Sequence, residues 1–293
     1  MMNENSPFIK LGFPTKMLFL FSVFMVCLYL VTVVSSLLQN KLGAIDMVLN
    51  LQVAMQNILV FAFPAFALAV FVSRKPISYL RLNSAPRLKS LLFVLVAFVI
   101  AMPAMNYIID WNENIRLPES MSAIEQTLRQ YEELAKQATD NLTKGKSFGG
   151  IVVLVLTVGC LTGFGEEVFF RGMFTRLIID KPCNKHLAIW IGALLFSLLH
   201  FQFYGFVPRM LLGAFFGYLM VWSGCLWLPI IAHAINNSLA IVSIYLCEQK
   251  ILPARIDEVG GDNLLLLIVS VALTTVLIWQ RHRFFDNNKA EIN

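Results

Sequence analysis

The sequence predicts an all-α, polytopic membrane bundle of about eight transmembrane helices, with one amphipathic helix in the loop 110–147. Three observations lead there. Of 293 residues, 58% are hydrophobic and only 14% charged, with a mean hydropathy of +0.70, whereas soluble domains carry about 25% charged residues. Eight apolar stretches near transmembrane length recur along the chain, as helices crossing about 30 Å of hydrocarbon require. Their apolar runs are continuous, without period-two alternation, so the backbone pairing that lipid enforces is met by helices rather than by a closed barrel.

The first stretch, 17–38, holds about 22 apolar residues, longer than a signal-peptide core and without a convincing small-residue cleavage site, and is read as retained. Stretches 53–73 and 88–109 follow. The segment 110–147 is the one sizeable polar piece: Met121, Ile124, Leu128, Tyr131, Leu134 and Ala138 recur at steps of three and four, and Ser122 with Glu125 matches a capping box. A helix resting on the bilayer surface or the bundle is favoured there over a substrate gate. Next come a long stretch 148–179, then 186–206, a short 210–222, then 226–246 and 264–279. The expected division is 1–147 for the amino-terminal helices and the amphipathic loop, 148–246 for a helical core that holds the chemistry, and 247–293 for a loop, the last helix and a basic tail.

Cys27, Cys160, Cys183, Cys225 and Cys247 mostly lie in or beside apolar stretches without zinc-site or disulfide spacing, and are read as packing residues. Counting Lys and Arg on alternate sides puts 14 of 23 on the side of the amino terminus, among them Lys10, Arg74, Lys75, Arg81, Arg87, Lys89, Arg176, Lys181 and Lys289. Both termini are therefore expected in the cytoplasm. The formal charge of +5 then reflects anchoring at the inner leaflet, and no basic stretch interleaved with aromatics points to nucleic acid.

The chemistry concentrates in three stretches of the second half. Glu166 and Glu167 stand side by side in an apolar run, where a charged side chain costs roughly 2.5–3.5 kcal/mol on insertion scales. Arg171 lies four residues beyond Glu167, one turn onward on the same face. Glu167 is therefore expected to pair with Arg171, and Glu166 to face elsewhere. His200 ends Phe196-Ser-Leu-Leu-His200, and His233 is followed one turn later by Asn237. If 148–179 forms one helix, the depths of these groups match; if it stopped at Gly165 they would not. Taken singly, each group has a plainer reading as interhelical packing or hydrogen bonding. Together, an acid, two imidazoles and an amide support hydrolysis. A desolvated glutamate can act as general base with a histidine orienting the same water, and His233 with Asn237 can donate to an oxyanion. Alternatively Glu166, His200 and His233 would ligate zinc, with an open fourth position.

These motifs in this order, Glu166-Glu167-x-x-x-Arg171, Phe196-x-x-x-His200 and His233-x-x-x-Asn237, resemble the CPBP group of intramembrane proteases. That group includes the type II CAAX prenyl endopeptidases and the bacteriocin-processing and immunity proteins of the Abi type. The resemblance spans about 150–245 and implies an endopeptidase of peptide or membrane-protein substrates, prenylated ones among them. It implies Glu166 and His200 as the groups that activate water, His233 and Asn237 as oxyanion donors or metal ligands, and a structural or substrate-orienting role for Glu167 and Arg171. An integral protein of a bacterial inner membrane is the expected setting. Gly213 and Gly217, spaced small-x-x-x-small, are read as packing positions. Two other classes compete: a transporter using the Glu and His groups as a proton or cation route, and a non-catalytic immunity or scaffold protein.

Overall fold

Continuous apolar runs and the absence of strand periodicity produce a wholly helical structure among the residues described by the computed structural model, 11–180, 184–253, 260 and 263–285. The helices are α1 (Phe13–Leu42), α2 (Asp46–Val72), α3 (Leu88–Glu113), α4 (Ser122–Thr143), α5 (Phe148–Ile179), α6 (Lys185–Leu198), α7 (Phe206–Ser223), α8 (Trp227–Glu248) and α9 (Leu264–Trp279). All but α4 and α6 are long and apolar enough to cross a membrane. Large apolar side chains exposed along these helices, such as Leu18, Val99, Leu156 and Leu265, form the surface that lipid covers.

Cross-links between helix ends sort the chain into two faces. On one, the Tyr79 hydroxyl lies 3.5 Å from Asp180 Oδ2, Leu226 N donates to Arg81 O at 3.0 Å, and Ser90 Oγ donates to Phe284 O at 3.3 Å. On the other, Lys146 Nζ meets Asp46 Oδ1 at 2.5 Å, Gly145 N donates to Glu248 Oε2 at 3.4 Å, and Gln202 Nε2 donates to Glu132 Oε1 at 3.0 Å. The chain alternates between these faces, with α6 as the shortest pass.

Here the expectation is corrected in detail. The fifth stretch, expected over 186–206, is helical only over 14 residues, and the stretch expected to be short is an 18-residue helix. The physical cause lies at Phe201, whose φ of 54° is left-handed and cannot continue an α-helix. Lys10, Lys181, Lys289 and Cys183 lie outside the described residues. Cys27, Cys160, Cys225 and Cys247 are free thiols.

Helix α5 runs unbroken from 148 to 179, so it does not stop at Gly165. It is not a regular α-helix. Seven-residue π-helical segments, Val155–Leu161 and Val168–Phe174, flank the regular turn Thr162–Glu167 that carries the glutamates. Facing it, α2 contains a third such segment, Gln56–Ala62. Widened turns of this kind free carbonyls and re-aim side chains, and they gather at functional sites.

The amphipathic helix of the polar loop forms as α4, but the capping box does not. Glu125 reaches past Ser122 and accepts from Leu117 N at 3.0 Å, with Arg129 Nε at 3.1 Å and Arg116 Nη1 at 3.3 Å. The Leu117 amide, then the two arginines, hold its carboxyl below the usual glutamate range. A depressed carboxyl stabilises its surroundings above the unfolded glutamate value of about 4.3, and that contribution is lost as pH falls through the lower folded value. Protection of the amides across 115–129, corrected for intrinsic exchange, should therefore fall in acid, and Glu125→Gln should abolish that pH step.

Candidate functional site

Two charges four residues apart in lipid must neutralise each other, and α5 does this. Arg171 Nη1 donates to Glu167 Oε1 at 2.6 Å, with both side chains fully buried. The guanidinium also donates through Nη2 to Gly213 O at 2.7 Å and lies over the rings of Phe196, at 4.7 Å, and Phe216, at 5.6 Å. Gly213 was expected only to ease packing. It does so, since an added Cβ would lie 3.2 Å from Phe196 Cδ1, and its carbonyl additionally anchors the arginine. Gly217 likewise admits Ile189 of α6.

His233 on α8 joins the two carboxylates. Its Nδ1 lies 2.9 Å from Glu167 Oε1 and its Nε2 lies 3.9 Å from Glu166 Oε2. A carboxylate held by arginine accepts, so Nδ1 donates to Glu167 and Nε2 is the ring nitrogen turned to Glu166. The ring is fixed by stacking on Phe216, 5.0 Å between centroids, and by the edge of Phe196 at 5.9 Å. A separation of 3.9 Å exceeds a direct hydrogen bond, yet one water can touch both atoms. Glu166 itself is 7% exposed.

Backbone contact between α5 and α8 makes this possible. A Cβ on Gly163 would stand 2.9 Å from Ala234 N and 3.1 Å from Ile230 O, and one on Gly165 2.5 Å from Asn57 O. Glycines at these points let the helices touch, which brings His233 within reach of both acids. Gly163→Val should lower stability by about 1–3 kcal/mol through forced separation, read as an earlier thermal unfolding in detergent. Gly149→Ala, at an open position, should stay within about 0.5 kcal/mol.

The other residues singled out in the sequence are placed differently. His200 is not mid-helix. It follows the end of α6, with Nδ1 2.8 Å from Phe196 O and its ring 5.0 Å from that of Phe196. Phe196 thus lies against both histidines. A carbonyl only accepts, so Nδ1–H is committed there and Nε2 remains. Asn237 donates to Val158 O at 3.2 Å and accepts from Asn236 at 3.3 Å, which satisfies a carbonyl of the first π-helical segment. As for the zinc alternative, no three His, Cys, Asp or Glu side chains among the described residues come close enough to hold a metal ion. Glu166 and His233 approach each other, but His200 does not join them within ligating reach, so the trio as placed does not fit a metal.

Sequence reasoning missed contributions from the first half. Asn57 in α2, buried, donates to Thr162 Oγ1 at 2.9 Å one turn before Glu166, and Asn50 Oδ1 accepts from Thr157 Oγ1 at 2.9 Å. Two asparagines on one apolar stretch were the available signal. The loop bearing His200 is held from outside the bundle. Arg209 Nη2 donates to Gln202 Oε1 at 2.8 Å, Gln202 bonds Glu132, and the Arg129 guanidinium lies 4.1 Å from the Tyr204 ring centre. Helix α4 therefore rests on the bundle directly against the loop that carries His200.

In comparison with known protein families, residues 148–239 fit the model described as type II CAAX prenyl endopeptidase Rce1-like. The matched segment holds all seven residues of the three motifs. No curated protein and no solved structure matches the chain.

Proposed function

We propose, from the match of residues 148–239 to the type II CAAX prenyl endopeptidase Rce1-like model, that this chain is an endopeptidase that hydrolyses a peptide bond within or beside the membrane, with Glu166 as general base. The observation that carries this reading is the buried Glu166 carboxylate facing His233 Nε2 across 3.9 Å inside the matched segment. Water held between them loses a proton to Glu166 as its oxygen attacks the scissile carbonyl. Glu166 then returns that proton to the leaving amine.

Each neighbour has a task in this scheme. Glu167 orients His233 through Nδ1, and Arg171 fixes the Glu167 carboxylate in place. His200 offers Nε2 to the same water or to the carbonyl, a contact that substrate binding tightens, as ligand-free sites are commonly loose. Asn237 would have to release Val158 O to reach an oxyanion, so we assign it the positioning of the π-helical turn. The substrate class is a carboxy-terminal peptide bearing a prenylated cysteine or a membrane-protein segment, delivered from the bilayer. We place both termini on the cytoplasmic side of a bacterial inner membrane, because Arg74, Lys75, Arg81, Arg87, Lys89 and Arg176 share one face.

The test is cleavage by the purified full-length protein in proteoliposomes, with quenched peptides ending in a CAAX sequence, farnesylated or not. Turnover of the farnesylated peptide supports the reading. No cleavage of either set, or equal cleavage by Glu166→Ala, overturns it. Loss of activity with a chelator and its return with zinc would overturn the metal-free form of the mechanism.

A further inference from the structure

Away from the glutamates, on the opposite face from α4, the helix ends enclose a cavity of about 430 Å³ lined by Arg81, Arg87, Arg176, Asn83, Ser84 and Ser90, among others. No acidic side chain lines it among the described residues. This volume falls in the range of small-ligand sites, about 300–1,000 Å³. Three guanidiniums with hydroxyl and amide neighbours form the donor set that takes a phosphate group.

The cavity is built rather than incidental. Its loop is stapled to the start of α8 by three bonds: Leu226 N to Arg81 O at 3.0 Å, the Cys225 thiol to Ser84 O at 2.8 Å, and Trp227 Nε1 to Leu82 O at 3.0 Å. Arg81 is held at φ 59°, a left-handed conformation that costs free energy and persists where surroundings enforce it. Arg176 donates to Tyr79 O and lies over the Tyr79 ring at 4.1 Å. Asp180 Oδ2 lies 3.8 Å from its Nε. Burial, and then the neighbouring Arg176 guanidinium, lower the Arg81 pKa, and Asp180 opposes them.

We propose that this cleft binds a phosphate group, that of an anionic lipid headgroup at the membrane surface. Its walls are the loop between α2 and α3, the ends of α3, α5 and α7, and the residues just before α8 and after α9, at the level where headgroups lie, and Trp222 in the wall with Trp227 beside it marks the aromatic belt. Basic pockets between helix ends on the cytoplasmic side bind such headgroups. The inference is independent of the peptidase reading.

The test follows thermal unfolding of the full-length protein in neutral detergent during titration with dioctanoyl phosphatidylglycerol, with dioctanoylglycerol and inorganic phosphate as parallel arms. A saturable rise with phosphatidylglycerol, absent with dioctanoylglycerol and shifted at least tenfold to higher concentration in Arg87→Gln and Arg81→Gln, is expected. A saturable, variant-sensitive rise with inorganic phosphate alone supports the phosphate site and assigns it a soluble ligand. Equal responses to both lipids, or unshifted midpoints in the variants, overturn it. Should the variants fail to fold, phenylglyoxal modification of the unaltered protein decides: phosphatidylglycerol should protect Arg81 and Arg87 in peptide mass spectra, and unchanged labelling overturns the proposal.

Discussion

Glu166→Gln should lower the turnover of a cleaved peptide by about 10² to 10⁴-fold, the range that a positioned general base contributes. The substitution keeps the size and shape of the side chain, so unfolding temperature should hold or rise. A carboxylate buried without a direct hydrogen bond is costly, and an amide at the same place is less so. Parallel measurement of turnover and unfolding temperature in the same detergent checks this. Turnover within threefold of the parent would remove Glu166 from the mechanism. Glu167→Gln should behave differently, because the neutral amide weakens both the Arg171 pair and the orientation of His233. It should lose activity and stability together.

Arg171→Met should be the most destabilising single change at the site. Its guanidinium makes a 2.6 Å bond to Glu167 and a 2.7 Å bond to Gly213 O, with no access to water. Removing one partner of a buried ion pair leaves the other uncompensated, at a cost of about 3–5 kcal/mol. Replacing both partners by apolar or neutral groups is far milder. Arg171→Met should therefore unfold at markedly lower temperature, and the double variant Glu167→Gln with Arg171→Met should recover much of the loss while remaining inactive. A double variant no more stable than Arg171→Met would show that the arginine acts through its aromatic cage of Phe196 and Phe216 instead.

These expectations rest on parts of the molecule that were unequally legible. Glu167 and Arg171 were paired by a four-residue offset, which is local geometry and survives even though a π-helical segment begins between them. The long α5 and the amphipathic α4 were equally plain, since period and apolar length are properties of a continuous segment. The end of α6 was not, because it depends on a left-handed Phe201 that no breaker residue announces. Nor was the partner of Glu125, which lies in the chain before the helix rather than at its cap.

By itself, then, the sequence determined the membrane setting, the set of polar groups and the one pairing that a single helix can make. Only the tertiary structure decided how the groups are shared between helices. His233 divides its two ring nitrogens between Glu167 and Glu166, while His200 and Asn237 are spent on the backbone carbonyls of Phe196 and Val158. The physical reason is contact between backbones. Where Gly163 lets α5 touch Ala234 and Gly165 lets it touch Asn57, distances between distant residues are set by the approach of whole helices, a quantity no local spacing encodes. The back-to-back glutamates thus both face one histidine, Glu167 2.9 Å from its Nδ1 and Glu166 3.9 Å from its Nε2.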